Sequence, residues 1–380
     1  MKIERIELRL ARMRLKAPFQ TSFGTELDRE CIIISAHGAG LTGWGECVAS
    51  RGFAGDGASR LDWNLYSYET TTTAWHILKD FLIPQVVGQP LSIPNTVDAG
   101  ERLRGHPLAR AGLEAALWDL TAQVEGIPLS RALGGARESV PVGVSIGIQP
   151  SVDALVERVD EFLAQGYRRI KIKIKPGFDN EAVKRIRARR PDIRLQVDAN
   201  SAYRLADAAL FEAMDDYQLL LIEQPLGWDD IYEHSKLQPR LRTPICLDES
   251  IHSLGHARLA IELGATRVIN IKPGRVSGFS ESRRIHDLCQ SRGVPVWCGG
   301  MLETGIGRAG NVALAALSGF TLPGDISASD RYYHEDIVDP PFGLNPDSTI
   351  DVPKGIGLGV TVSLKRLAAV TIRREVFSVG

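Results

Sequence analysis

Several features are scarce in this chain of 380 residues, and each absence narrows its function. No uninterrupted apolar run approaches the roughly eighteen residues that a membrane-crossing helix needs. No block of five or six like charges occurs, and the formal net charge is −1, so neither nucleic acid nor an anionic membrane surface is an expected partner. The start of the chain, MKIERIELRLARMRL, alternates apolar and charged residues and lacks the apolar centre of a secretory signal. The five cysteines (Cys31, Cys47, Cys246, Cys289 and Cys298) are odd in number, scattered and without a CxxC pair. They read as reduced, buried thiols, so a soluble cytoplasmic protein is expected. No GxGxxG follows the first strand of the α/β region, which argues against a dinucleotide fold and redox chemistry.

Strand-like sequence is expected at 3–9 and 30–48, the latter as a hairpin whose loop carries Gly38 and Gly40. PFQTSFG (18–24) reads either as a surface loop with two buried phenylalanines or as a flap over a site. Helical spacing dominates 70–125, and LARAGLEAALWDLTAQVEG (108–126) stops at Gly126. From about 140, short apolar strands alternate with amphipathic helices: 142–147, 169–174, 193–198, 219–223, 244–248, 268–272, 295–298 and 322–325. Ser151 is placed to cap the first of those helices, and Gly166 to end it. Eight strands in βα alternation predict an α/β fold with a (β/α)-barrel better than an open sheet. The tail, 350–380, is expected to pack back on the N-terminal region.

Ile170-Lys171-Ile172-Lys173-Ile174-Lys175 alternates strictly. Alone it reads as an ordinary amphipathic strand. Its successors change that reading. Asp198, Glu223 and Asp248 follow Lys173 at successive intervals of 25 residues, and Lys272 follows 24 later. One βα unit spans about this length, so five consecutive strands end on a charge, and strand C-termini of a barrel share one mouth. Each acid could instead open a loop or cap a helix. Three carboxylates crowded at one mouth, however, call for a shared cation, and oxygen donors select a hard ion such as Mg²⁺, with Mn²⁺ as a substitute. On this reading Lys171 and Lys173 face the lumen. Lysines on roughly opposite sides of an ion would lose proton affinity and serve as general bases.

KIKIKPG (171–177), VDANSAY (197–203), IEQPL (222–226), CLDES (246–250), INIKPGRVSG (269–278) and WCGGMLETGIGRA (297–309) resemble the enolase superfamily. Within it they are most similar to the muconate-lactonizing subgroup and its o-succinylbenzoate synthase / N-acylamino acid racemase family. The resemblance implies a (β/α)7β TIM-like barrel at 129–344 under an N-terminal α+β capping domain at 1–128, completed by a tail from about 345 to 380. It implies Asp198, Glu223 and Asp248 as Mg²⁺ ligands and Lys173 and Lys272 as catalytic groups, the lysine-with-magnesium pattern being general to the superfamily. Lys171 would tune Lys173 and contact the substrate carboxylate, and Asn200 and Glu249 would stand near the ion. Ser145, Gly300, Met301 and Glu303 match pocket-lining segments, Phe19 and Phe23 a capping loop, and Arg275 an arginine of the branch that also racemises N-acylamino acids.

No His–Asp dyad occupies the later strands, and Asp325-Ile326-Ser327 replaces the DxD of dipeptide epimerases. The resemblance implies dehydration to o-succinylbenzoate in menaquinone synthesis, with N-acylamino acid racemisation as the alternative. A small carboxylate is the expected ligand and a homo-oligomer the expected assembly. A catalytically silent barrel that only binds is the reading of a different class.

Overall fold

The computed structural model describes residues 1–22, 24–51, 53–54 and 63–379. Its N-terminal sheet is built on two long strands, β1 (Arg5–Thr21) and β2 (Gly24–Gly38), followed by β3 (Leu41–Cys47). The β2–β3 turn falls at Ala39 and Gly40, both with positive φ (50° and 77°), the conformation that matches the twist of a tight hairpin. The expected hairpin is therefore present.

The described part of the 18–24 segment is strand up to Thr21 rather than loop, and it reaches over the barrel's strand ends, Ser22 Oγ donating to the Asn200 carbonyl at 3.1 Å, as a flap over a site would. It is the far tip of the β1–β2 ladder, with Phe19 opposite Glu26 and Thr21 opposite Gly24 after a register shift between Arg14 and Phe19. Burial alternates there, with Phe19 and Thr21 buried and Gln20 and Ser22 half-buried, as a strand requires, although the residue types themselves do not alternate. Phe23 lies outside the described residues.

The helix expected at 108–126 is α1 (Pro107–Glu125), closed by Gly126 at φ 69°. It packs on β3 almost backbone to backbone: a Cβ added to Gly45 would sit 2.3 Å from the Gly112 carbonyl oxygen. Only glycine permits that approach.

Seven parallel strands follow: β4 (Val144–Ile146), β5 (Arg169–Lys173), β6 (Arg194–Asp198), β7 (Ile222–Glu223), β8 (Ile245–Leu247), β9 (Val268–Ile271) and β10 (Val296–Cys298). Each pairs with its sequence neighbour, and helices cover the outside. Helix α2 (Val152–Ala164) begins where Ser151 accepts from Ala154 N and buries Leu155, Val159 and Phe162.

The eighth expected strand, 322–325, is not a regular strand. Pro323 and Gly324 interrupt it, yet it still closes the ring. Leu322 N and Asp325 N donate to Val296 and Cys298 carbonyls, and Gly143 N and Gly324 N exchange bonds with Gly324 and Pro141 carbonyls. Helix α3 (Gly305–Ala315) follows β10. The tail returns as β11 (Thr371–Ser378), antiparallel to β1 at the edge of the N-terminal sheet.

Candidate active site

Alternation along β5 sends Arg169, Lys171 and Lys173 into the barrel, while Ile170, Ile172 and Ile174 join the core beneath the helices. The lumen floor is an apolar layer of Leu221, Cys246, Val268 and Trp297. The charged groups rise from that layer to the mouth. Arg169 donates to Asp325 Oδ1 at 2.6 Å, and the Lys171 ammonium touches Asp325, Glu223 (2.8 Å) and Asp198 (3.1 Å). Lys171 Nζ also stands 5.0 Å from the centre of the Trp297 ring. Lys173 donates to Asp198 Oδ2 at 2.6 Å. Across the barrel, Lys272 Nζ lies 2.7 Å from Asp248 Oδ2, and Arg275 holds Asp248 Oδ1.

The strand ends turn sharply enough to place left-handed backbone beside the charges: Asn200 (φ 41°), Ser201 (64°) and Gln224 (37°). Such strain persists only where surrounding bonds over-determine it. Here Gln224 Oε1 accepts from Asp248 N and Ser250 N, and Asn200 N donates to Asp198 Oδ1.

One cavity of about 80 Å³ brings together Lys171, Lys173, Lys272, Asn200, Ser145, Gly300, Met301 and Phe19, with Tyr66, Leu302, Asp325 and Tyr332. Of the remaining expected residues, Asp198, Glu223 and Asp248 lie behind the lysines, and Glu249 sits at the outer rim with Asn200 Nδ2 on its Oε1 at 2.9 Å. Glu303 does not face this cavity; its carboxylate turns back to accept from Met301 N and Asn311 Nδ2. A larger void of about 280 Å³, between Arg110, Glu114, His252 and Arg284, contains neither lysine pair nor strand-end acid.

The crowding argument needs correction. It counted three acids against two lysines, whereas the lumen assembles Asp198, Glu223, Asp248, Glu249 and Asp325 with Arg169, Lys171, Lys173, Lys272 and Arg275. Their formal charges cancel without any ion. The expected loss of proton affinity concerned lysines beside a bound cation; with the carboxylates alone as neighbours, Lys171 and Lys272 shift the other way. Burial opposes the Lys171 charge, but Asp325, Glu223 and Asp198 outweigh it and hold its pKa well above the lysine range. For Lys272 burial is outweighed by Tyr66, Glu223, Glu249 and Asp198, again upward. Burial, aided by Asp198, pushes the Glu249 carboxyl up to about 7.

As placed, no three His, Cys, Asp or Glu side chains among the described residues are gathered to hold an ion. The donor chemistry nonetheless fits one. Asp198, Glu223 and Asp248 offer only oxygens, and Glu249 Oε2 and Asn200 Oδ1 are buried without a hydrogen-bond partner beside them. Lys171, bridging Asp198 and Glu223, already puts a cationic group between two of the three.

Tyr66, Asn270, Arg169 and Asp325 belong to this site and were not among the sequence candidates. Tyr66 donates to Asp248 Oδ1 (3.1 Å) and accepts from Lys272 (3.2 Å), and Asn270 Nδ2 donates to Glu223 Oε1. Asn270 lies two residues before Lys272 and Arg169 four before Lys173, so alternation alone could have marked them as inward.

The family profile described as mandelate racemase / muconate lactonizing enzyme, N-terminal domain, matches residues 5–134, and the enolase C-terminal domain-like profile matches 154–366. The chain is 48% identical over 379 residues to the o-succinylbenzoate synthase of Geobacillus kaustophilus, covering 99% of this chain and 97% of that protein. The chain belongs to the enolase superfamily, in its o-succinylbenzoate synthase / N-acylamino acid racemase family. It is also 46% identical to the N-succinylamino acid racemase of Thermus thermophilus, with 100% of both chains covered. A crystal structure of an enolase-superfamily member from Listeria innocua superposes with a TM-score of 0.93 at 39% identity, covering 100% of this chain and 99% of that one. A dipeptide epimerase from Enterococcus faecalis, crystallised with Mg and L-Leu-L-Tyr, matches at 26% identity and TM-score 0.84 over 95% of this chain and 100% of that one. The superfamily fold and the sheet arrangement described above agree. No helix of the described residues is long and apolar enough to cross a membrane.

Proposed function

We propose that this superfamily member is an o-succinylbenzoate synthase, and that Lys173, Lys272, Asp198, Glu223 and Asp248 are its working residues. The carrying observation is one cavity lined by both Lys173 and Lys272, from the second and sixth barrel strands, with the three strand-end acids directly behind them. Relatives of both kinds, synthase and racemase, resemble the chain closely over its whole length.

The proposed reaction is syn-elimination of water from 2-succinyl-6-hydroxy-2,4-cyclohexadiene-1-carboxylate. Lys173 removes the proton α to the carboxylate, giving an enediolate. It then returns that proton to the departing hydroxyl as the C–O bond breaks and the ring becomes aromatic. Lys272 keeps its ammonium over the anionic ring, where its charge is sufficient. Lys171, held charged by three acids, orients the substrate carboxylate rather than exchanging protons. Asp198, Glu223 and Asp248 would hold Mg²⁺, which supplies positive charge where the carboxylate gains electron density. The cap contributes Phe19 and Tyr66, which exclude water from the lysines.

The same cavity supports racemisation of N-succinylamino acids, with each lysine transferring a proton on its own face of the α-carbon. The resemblance to the Thermus racemase favours this second activity. Purified protein with Mg²⁺, assayed with the cyclohexadiene substrate and with N-succinylamino acids, tests both readings. Turnover of neither substrate sinks the proposal; no Mg²⁺ or Mn²⁺ binding in a calorimetric titration would favour the silent barrel.

A further inference from the structure

Leu302 adopts φ 58°, a left-handed conformation that costs a residue with a full side chain of order 1 kcal/mol or more. It stands beside Gly300 and Met301 in the wall of the active-site cavity. The turn is held from three directions. Met301 N donates to Glu303 Oε2 at 2.7 Å, and Asn311 Nδ2 fixes Glu303 Oε1 at 2.9 Å. Tyr333 OH donates to the Leu302 carbonyl at 2.5 Å. The third hold crosses from the other sheet. Glu46, on β3, accepts with Oε2 from Thr304 Oγ1 (2.6 Å), Thr304 N (3.1 Å) and Gly307 N (3.0 Å).

Thr304 is the residue that caps α3, its hydroxyl accepting from Ile306 N. Glu46 therefore satisfies further donors at the N-terminus of a barrel helix from outside the barrel, where a carboxylate is favoured. Glu46 is 5% exposed and does not line the substrate cavity, so anything it does there passes through Thr304. An Ala in its place would leave buried N–H and O–H groups unpaired, and the strained turn would lose one of its three holds.

We propose that Glu46 is a positioning residue: it locks the strained Leu302 turn from the cap side and so sets the wall that Gly300 and Met301 present to substrate. The wall meets the substrate in ground and transition states alike, so loosening it weakens binding without touching the lysines. This inference rests on the proposed activity for its kinetic arm but not for its structural one.

The test compares wild type, Glu46→Gln and Glu46→Ala, with Thr304→Val as a second route should Glu46→Ala fail to fold. Peptide hydrogen exchange over 299–309 is read without substrate. Synthase KM and kcat are read with Mg²⁺. Glu46→Ala is expected to speed exchange in that segment at least tenfold and to raise KM about tenfold with kcat within twofold. Gln, which keeps an acceptor oxygen, should recover most of both. Thr304→Val should match Ala, and combining the two should add little. Unchanged exchange in the folded variants overturns the lock. Faster exchange with unchanged KM, or a loss confined to kcat, overturns the positioning role. An inactive wild type would instead overturn the proposed function, leaving the exchange result to decide the lock alone.

Discussion

Lys173 and Lys272 occupy equivalent strand ends but differ in what the chemistry asks of them, and single substitutions separate the two demands. Lys173→Ala removes the group proposed to move the proton, so synthase and racemase rates should both fall by about 10²–10⁴-fold. Full turnover by that variant would sink the mechanism. Lys272→Arg keeps a cation near Tyr66 and Asp248 but cannot give up its proton near neutral pH. Measured on one preparation, it should retain measurable dehydration and lose racemisation. Equal loss of both activities would mean that Lys272 also transfers protons in the dehydration. Residues of this kind were legible in the sequence because their spacing matches a βα unit. Tyr66 was not, because its place over Asp248 depends on how the N-terminal sheet docks, which local pattern does not encode.

At the scale of elements, strands and helices were read best where periodicity was long. The α1 and α2 ends followed their glycine and serine signals, whereas Phe19–Thr21 became strand because they pair with the start of β2, Phe19 with Glu26 and Thr21 with Gly24. The eighth strand was found by its place in the βα rhythm, yet proline and glycine deny it regular form. Helix α1 also lacks a side-chain cap of its own: His106, at φ 57°, precedes it without one. Glu69 takes that role from the loop that carries Tyr66, accepting from Leu108 N (2.7 Å) and Ala109 N (3.1 Å). Burial pushes the Glu69 carboxyl up to about 7, even though the two N–H donors and Arg110 pull it down. The sign follows directly. An acid raised in the folded state keeps its proton there between about 4.5 and 7 while the unfolded chain has lost it, so its contribution to stability falls across that range. The difference in unfolding free energy between wild type and Glu69→Gln should shift against wild type by about 3 kcal/mol from pH 4.5 to pH 7, then level off. Denaturant midpoints across a pH series would check this. A difference that does not vary with pH would place the carboxyl near its ordinary value.

For the molecule as a whole, the sequence carried the barrel, the mouth and the oxygen donors, but not the balance of charge inside. Arg169 and Asp325 meet only because the ring closes between strands far apart in the chain, and their pairing makes the lumen neutral before any ion arrives. Lys171 is the pivot of that balance, since its ammonium touches Asp198, Glu223 and Asp325 together. Replacing it by Met keeps the volume and leaves three buried carboxylates one positive charge short. Breaking such a network from one side typically costs about 3–5 kcal/mol. The Lys171→Met variant should therefore melt well below wild type in chelator. An added dication would restore the missing charge without displacing an ammonium, so Mg²⁺ should raise the variant's melting temperature more than it raises that of wild type, in proportion to the logarithm of its concentration. Calorimetric titration should give the variant the tighter Mg²⁺ affinity. Equal stabilisation of both proteins would mean that the ion and Lys171 do not share the Asp198–Glu223 pair, and no stabilisation of either would remove these acids as the ion's ligands.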